Sequence, residues 1–458
     1  MAEAWRARLA PLVRQLRASR AGAQDVVVLT GFGSAGMVIR LVSSILMARG
    51  LGPEGLGIYP LAMTGPDATL ALSNLGLAQT AVRYASRAAA EGDRERHARV
   101  LAWAFRLRLA LMLAASLAAA LAAPWVAATL WRDASLQPLV YLSLLISILG
   151  LVGSFPTAYF ESLKRFALTG IARQFVAADM FISVVALAVA GLLTVYNLVL
   201  GRIALGCATV LVAWMLIPAA DRARLLGLMA RGSRKADWAP ALAPSGERGA
   251  LTVEEPGRFA RYMTLATVVG LVMVRVDVWL MGLLIPKAEI GLYAAATRFA
   301  LPLIVALNAL NTALWPRASA CHTRRETAAL LKRATALAGA LALAGVAYAL
   351  VAPLVMPFLL GRAFGESVGL ARVLSLRYCF ALLGCPIGII GYNYGLVRYG
   401  WLLNVGQLGL IVLMGVTLLP TWGPMACALA LLLADVLGTA AVVLFVWQRH
   451  ALSAKVDE

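Results

Sequence analysis

The chain has 458 residues, of which 61% are apolar and only 14% are charged, and its mean hydropathy is +0.82. This composition excludes an ordinary soluble domain and indicates an integral membrane protein. The formal net charge of +19 would favour nucleic-acid binding in a soluble chain. However, the longest polar interval, residues 219–258, is too short for a soluble catalytic or ATP-hydrolysing domain, which rarely has fewer than about 50 residues.

Residues 1–24, before the first apolar stretch, are basic, and Trp5, Leu9 and Leu12 recur among them at helical spacing. Two interpretations are open for this segment. It is an amphipathic helix on the anionic cytoplasmic leaflet, or it is a disordered basic tail.

Twelve apolar stretches follow, each long enough to supply the roughly 20 helical residues that cross a bilayer. The sequence therefore predicts an all-α integral membrane protein with about 12 transmembrane helices. Spans 1 to 12 are predicted at residues 25–48, 56–80, 101–123, 138–160, 166–192, 195–218, 259–285, 290–314, 333–357, 370–395, 400–420 and 423–447.

Lysine and arginine are concentrated in the two tails and in the loops after even-numbered spans. The opposite side carries Arg49, Arg132, Lys287 and Arg362. Because cytoplasmic loops carry the excess of basic residues, both termini are predicted to be cytoplasmic. The position of the basic residues thus explains the positive charge, and nucleic acid is excluded as a partner.

An internal repeat divides the chain. Gly57-Ile58-Tyr59 after span 1 matches Gly291-Leu292-Tyr293 after span 7, and an arginine follows each tyrosine by 24 residues. We infer two parallel six-helix bundles, related by a pseudo-two-fold axis along the membrane normal, with a substrate cavity between them. The predicted segments are a cytoplasmic basic segment at 1–24, an N-terminal bundle at 25–218, a cytoplasmic linker at 219–258, a C-terminal bundle at 259–447 and a cytoplasmic tail at 448–458.

The polar residues show no pattern typical of metal binding or catalysis. The five cysteines form no CxxC pair and the three histidines lie far apart, so no metal site is predicted. The predicted outer loops are short, and their acids are Glu54, Asp133, Glu289 and Glu366. We therefore expect no catalytic residues and a transporter rather than an enzyme.

Several runs of residues carry a family resemblance. They are Leu46–Tyr59 (LMARGLGPEGLGIY), Asn74-Leu75-Gly76-Leu77, Thr80–Tyr84, Arg275-Val276-Asp277, Gly291–Arg298 and Leu403-Asn404-Val405. These runs resemble the bacterial polysaccharide biosynthesis family, the O-antigen-type flippases of lipid-linked oligosaccharides. That family belongs to the multidrug/oligosaccharidyl-lipid/polysaccharide (MOP) superfamily. The linker is long for the family, and twelve spans exclude the extra helix pair of the lipid II flippase members.

The resemblance implies a flippase in the bacterial inner (plasma) membrane. Its substrate would be an undecaprenyl-pyrophosphate-linked oligosaccharide, a polysaccharide repeat unit, which crosses from the cytoplasmic to the outer leaflet by alternating access. Glycosyltransferases would supply this substrate inside, and a polymerase or ligase would receive it outside. Two alternatives are a multidrug-type cation-coupled exporter of the same superfamily and a membrane glycosyltransferase or polymerase of the same pathway.

Four arginines lie about 10 to 15 Å inside the predicted spans, measured from the outer ends: Arg40, Arg275, Arg298 and Arg377. Each would cost roughly 3 kcal/mol if it faced lipid, so we expect them to line a hydrated cavity. Their planar guanidinium groups match phosphate oxygens and stay charged, which favours binding of the substrate's pyrophosphate.

The alternative is that buried carboxylates neutralise these arginines. The candidates, which are also candidates for H+ or Na+ coupling, are Asp67, Asp179, Asp277 and Asp435. Coupling is optional, because moving two negative charges outward gains about 5 kcal/mol per 100 mV of membrane potential. No other cofactor is expected.

Five further arginines lie within the spans. Arg106, Arg108, Arg202 and Arg372 are close enough to a span end for their side chains to snorkel to the membrane surface, whereas the role of Arg173 is open. Pro66 and Pro302, early in spans 2 and 8, are predicted to kink their helices, either as gating hinges or as fixed bends that shape the cavity.

Overall fold

The computed structural model describes residues 2–75, 77–230, 269–270, 272–273, 275–319, 324–393 and 397–454. Within these ranges, side chains are described from residue 33 onward except at 34, 35, 37, 79, 83, 130, 312, 315, 316, 319, 324, 325, 391–393, 397–401 and 449–454. Within these ranges every regular element is helical. The N-terminal half contains α1 (Ala2–Asn74), α2 (Leu77–Ala90), α3 (Arg94–Trp125), α4 (Gln137–Ser162), α5 (Phe166–Val189), α6 (Val195–Met215) and α7 (Ala219–Ala230).

The C-terminal half begins, among the described residues, with a helix that includes residues 275–284. We label that helix α8. It is followed by α9 (Lys287–Phe299), α10 (Leu301–Ser319), α11 (Arg324–Leu350), α12 (Ala352–Leu360), α13 (Val368–Asn393), α14 (Val397–Trp422) and α15 (Pro424–Ala454). Short helical turns lie at Val126–Leu130, Ala134–Leu136 and Arg362–Ser367.

Most of the predicted spans coincide with single helices. In the described part of the chain, eight helices are long and apolar enough to cross a membrane, and α9 with α10, bent by 47°, gives a ninth. Predicted span 1 and residues 56–74 of predicted span 2 lie in α1, the last residues of span 2 lie in α2, and the described end of span 7 lies in α8. The protein is thus an all-α membrane protein in which each half supplies one bundle.

α1 carries the first two spans without a separate loop between them. Its helical geometry is interrupted at Gly52, where φ is +65° and ψ is −177°. A positive φ is accessible to glycine because it has no Cβ. The bend therefore lies at Gly52, whereas Pro66 lies within a continuous arm of the helix.

The repeated glycines meet where the two halves cross. A Cβ added to Gly57 on α1 would overlap the carbonyl oxygen of Lys287, and one added to Gly291 on α9 would overlap that of Pro53. Only glycine allows two helix backbones to approach this closely. The repeat found in the sequence is therefore the contact point of the two halves.

The hydrophobic core has three parts. One cluster combines both halves and includes Met47, Leu56, Met281 and Ala296, which are fully buried. The other two clusters are each confined to one half, one around Leu101, Phe160 and Leu225 and one around Leu310, Ala338 and Leu382. Because the confined clusters occupy the predicted cytoplasmic ends of the spans, the halves are joined mainly toward the predicted outer side.

The predicted linker starts as a helix that belongs to the N-terminal half. α7 packs against α3, and its Leu225 is buried. The Tyr159 hydroxyl of α4 donates a hydrogen bond of 2.7 Å to the carboxylate of Asp221 on α7. The remainder of the linker, residues 231–258, lies outside the described residues.

Candidate substrate cavity

Arg275 and Asp67 form an ion pair that joins the two halves. Arg275 lies on α8 and Asp67 on the second arm of α1, and both side chains are partly exposed. The Arg275 Nε is buried, and no hydrogen-bond partner for it lies among the described residues. One carboxylate thus balances this arginine in the present conformation.

Arg377 and Asp435 form a second pair, within the C-terminal half. The Arg377 Nε donates to the Asp435 carboxylate at 2.8 Å, which links α13 to α15. Asp277, in contrast, binds no described arginine. It accepts hydrogen bonds from the Tyr293 hydroxyl at 2.5 Å and from the Val278 backbone N–H at 2.8 Å.

Arg202 and Asp179 form a third pair, within the N-terminal half. The Arg202 Nε lies 3.0 Å from the Asp179 carboxylate, and its Nη1 donates to the Tyr59 hydroxyl at 2.7 Å. The prediction that Arg202 reaches the membrane surface is wrong, because an acid on the adjacent helix α5 holds its side chain in the interior. Both tyrosines of the repeat are thereby bound to a charged group.

Arg298 lies near the C-terminal end of α9. Its Nη1 is buried, and no hydrogen-bond partner for that atom lies among the described residues. An unpaired buried N–H of a charged group carries a large desolvation penalty, which a ligand or water can offset. Of the four arginines first predicted to face the cavity, Arg298 and Arg40 are the two without a described carboxylate partner.

A cavity with a volume of about 680 Å³ lies beside Arg40 in the N-terminal half. This is within the range of roughly 300 to 1,000 Å³ found for small-molecule sites. Its described lining comes from α1 to α5 and includes Arg40, Arg108, Arg173 and Glu161. None of the three arginines forms an ion pair with a described carboxylate, so the cavity carries excess positive charge.

Arg108 contradicts the prediction that its side chain reaches the membrane surface. The residue is only 9% exposed, and its Nη1 donates to the Ser154 hydroxyl at 3.3 Å. Its Nε is buried, with no partner among the described residues. Depth along the span could not reveal this position, because the sequence does not show that a polar cavity lies beside α3.

An apolar crevice of about 350 Å³ lies between the two halves. Val38 and Leu41 of α1 form one wall, and Leu301, Pro302 and Val305 of α10 form the other. Arg40 lines both this crevice and the basic cavity. A polar compartment and an apolar compartment therefore meet at one arginine.

The bend between α9 and α10 shapes this crevice. The helices meet at Ala300, and Pro302 follows at the second position of α10. At this position a proline costs no helical hydrogen bond. The Phe299 carbonyl accepts a hydrogen bond of 3.0 Å from the Tyr348 hydroxyl of α11, which supplies this carbonyl with a partner at the bend.

Two smaller cavities adjoin the predicted coupling acids. One, of about 170 Å³, is lined by Pro66, Asp67, Asp179 and Arg202 in the N-terminal half. The other, of about 250 Å³, is lined by Asn404, Gln407, Asp435 and Thr439 in the C-terminal half.

Comparison with known proteins identifies similar chains. The profile of the family described as "Polysaccharide biosynthesis protein" matches residues 23–322, more than half of the sequence. Stage V sporulation protein B of Bacillus subtilis (strain 168) is 27% identical over 132 residues, which are 28% of this chain. The match spans only a quarter of that relative's length, 25%.

Two solved structures share the fold. The lipid II flippase MurJ, in an inward closed conformation, superposes with a TM-score of 0.65 at 12% identity, over 92% of this chain and 87% of that one. An inward-facing multidrug resistance MATE family transporter of the MOP superfamily gives a TM-score of 0.61 at 17% identity, over 92% and 95% of the two chains. At these identities the likeness shows the fold of MOP transporters.

Proposed function

Because the chain belongs to the polysaccharide biosynthesis family, we propose that it flips an undecaprenyl-pyrophosphate-linked oligosaccharide across the bacterial inner membrane. The substrate is a polysaccharide repeat unit of the O-antigen type, and it moves from the cytoplasmic to the outer leaflet. Glycosyltransferases supply it from the cytoplasm, and a polymerase or ligase receives it outside. Both termini of the chain are cytoplasmic in this proposal.

The observation that carries the proposal is the position of Arg40. This side chain lies where the basic cavity meets the apolar crevice. A substrate that fills both compartments must have an anionic head and an apolar chain, as a polyprenyl pyrophosphate does. Guanidinium groups bind the oxygens of the head bidentately, and the crevice shelters the first part of the chain from water.

The transport mechanism is alternating access between the two bundles. The halves pack together on the predicted outer side, and the basic cavity extends to Glu161 and Val82 at the predicted cytoplasmic ends of spans 4 and 2. The substrate therefore enters from the cytoplasm in this conformation. Rocking of the bundles about the Gly57–Gly291 crossing then exposes the cavity to the outside.

The arginines at the centre act later in the proposed transport cycle. Arg298 lines neither the basic cavity nor the crevice in this conformation, so its buried Nη1, which has no described partner, reaches the substrate only when the halves move. Arg275 and Arg377 already hold Asp67 and Asp435, so the substrate must compete with these acids to bind them. Their contribution comes after the halves have moved.

The membrane potential supplies the driving force in this proposal. Asp179 and Asp435, the best candidates for H+ or Na+ coupling, are each paired with an arginine, so a coupling cation would have to displace a guanidinium group. Moving the two negative charges of the pyrophosphate outward is favourable by about 5 kcal/mol per 100 mV of membrane potential, and this requires no coupled ion. An Asp435→Asn variant that flips normally with unchanged ion dependence supports this mechanism.

Thermal stabilisation of the purified protein tests the substrate class. We expect an undecaprenyl pyrophosphate glycolipid to raise the melting temperature, and cationic drugs to leave it unchanged. The Arg40→Ala/Arg275→Ala variant should lose the effect, whereas Arg106→Ala should keep it because Arg106 donates to the Leu228 carbonyl of α7. Stabilisation by cations alone would indicate a multidrug-type exporter and would overturn the proposal.

A further inference from the structure

We infer that Arg108 and Arg173, together with Arg40, form a pyrophosphate-binding site inside the N-terminal half of the protein. This inference deepens the proposed function and rests on it. It assigns the substrate's charged head to one bundle rather than to the arginines at the junction of the two bundles.

The environment of Arg108 is the first observation behind this assignment. The side chain is 9% exposed, it lines the basic cavity, and its Nη1 donates to the neutral hydroxyl of Ser154. Its Nε is buried and has no described partner. A buried charge without a counter-charge is strongly unfavourable, so a site of this kind is complementary to an anionic ligand.

The placement of the three arginines is the second observation. They come from three helices, α1, α3 and α5, and they line the same cavity. The hydroxyls of Ser154 and Thr157 on α4 add neutral donors, and Glu161 is the single described carboxylate in the lining. Several guanidinium groups around one cavity match the distribution of charge on two linked phosphates.

The contrast with the junction arginines is the third observation. Arg275 and Arg377 each hold an aspartate, so a phosphate must displace that acid before it can bind. Arg108 and Arg173 hold no described carboxylate. In the present conformation the N-terminal cavity is therefore prepared to receive the anion, and the head then moves together with this bundle during transport.

The test is a titration of the full-length protein in lipid nanodiscs with undecaprenyl pyrophosphate, and with undecaprenol as the uncharged control lipid. We expect Arg108→Met to raise the Kd for undecaprenyl pyrophosphate by about tenfold or more, since it removes charge-assisted hydrogen bonds. Arg108→Lys keeps the charge but loses the planar fork, so it should recover only part of the affinity. Arg106→Met, on the same helix but directed toward α7, is the matched control and should bind like the wild type.

An Arg108→Met variant that binds as tightly as the wild type, beside an Arg275→Met variant that binds weakly, would overturn the inference and leave the proposed function intact. A wild type that does not distinguish the pyrophosphate from undecaprenol would instead overturn the proposed function. If Arg108→Met does not fold, Arg173→Met takes its place, because Arg173 is exposed and its removal leaves the core unchanged. The same rise in Kd is expected for it, and unchanged affinity would contradict the site.

Inorganic pyrophosphate distinguishes a lipid headgroup from a free ion. We expect it to bind the wild type more weakly than the lipid does, because it lacks the chain that fills the crevice, and to show the same loss in Arg108→Met. Inorganic pyrophosphate that binds as tightly as the lipid would contradict a lipid-linked ligand.

Discussion

The ion pair of Arg202 with Asp179 is well enclosed, with side chains only 15% and 9% exposed. Removing one partner of a buried pair leaves the other charge uncompensated, which typically costs about 3 to 5 kcal/mol. We therefore predict that Asp179→Asn lowers the thermal stability strongly in a detergent melt. Arg202→Met in the same chain should restore much of the loss, because neither charge then remains.

A different role for Asp179 would give a different pattern. If Asp179 binds a coupling ion and contributes little to the fold, the single variant should keep its melting temperature and lose only the ion dependence of transport. If the losses of thermal stability caused by Asp179→Asn and Arg202→Met simply add in the double variant, the two residues do not stabilise the fold as a pair.

At the residue scale, the sequence indicated only some of the charges that lie inside the protein and did not show how they are paired. Depth along a span identified Arg40, Arg275, Arg298 and Arg377, yet it placed Arg202 and Arg108 at the membrane surface. The error has a physical reason. Pairing depends on which side chains face each other across neighbouring helices, and one sequence without its packing does not contain that information.

At the scale of elements, the crossing of α1 and α9 brings helix backbones of the two halves into direct contact. We predict that Gly57→Ala forces the two helices apart, because the new methyl group would overlap the Lys287 carbonyl oxygen. Gly65→Ala on the same helix is the matched control, since its Cβ would lie 3.6 Å from the Leu144 side chain, an ordinary contact. The distance between spin labels at Ala128 and Ala288, in a chain without native cysteines, measures the effect.

The expected result is a longer or broader distance distribution in Gly57→Ala and an unchanged one in Gly65→Ala. Identical distributions in both variants would show that the crossing does not hold the halves together. The internal repeat could be read from the sequence, but the meeting of its two copies could not. That contact follows from the pseudo-two-fold relation of the bundles, which brings equivalent positions to the axis.

For the whole molecule, polar contacts close the predicted outer side. Lys287 of the C-terminal half forms an ion pair with Asp133 of the N-terminal half. Arg49 donates to the backbone carbonyls of Leu359 at 2.8 Å and Phe358 at 2.5 Å. These contacts must break before the cavity can open outward.

The ion pair makes outer closure dependent on pH. The hydrogen bond from Lys287, and then that from Ser135, lowers the pKa of Asp133 below its ordinary value. In the closed state the carboxylate therefore stabilises closure at every pH above the ordinary aspartate pKa of about 4, and that contribution is lost as the pH falls below it. We predict a constant spin-label distance from pH 8 to pH 5, roughly the range in which aspartate stays ionised.

A partly exposed ion pair contributes up to about 1 kcal/mol, which corresponds to about fivefold in an equilibrium constant. At neutral pH, Asp133→Asn should therefore increase the population of the outward-open state by up to about fivefold. Lys287→Gln should have the same effect, and the double variant should add nothing to it. If the population closed on the outer side changes between pH 8 and pH 5, a titratable group other than Asp133 controls the closure.

Reconstituted flipping tests the central claim most directly. Liposomes that contain the full chain would be loaded with a fluorescent undecaprenyl-pyrophosphate-linked oligosaccharide, and its arrival in the opposite leaflet would be followed by quenching with an impermeant reagent. We predict flipping by the wild type, faster when the potential drives anions toward the receiving leaflet, and little flipping by Arg40→Ala. Transport of cationic drugs with no flipping of the glycolipid, or unimpaired flipping by Arg40→Ala, would contradict the proposed role of the basic cavity.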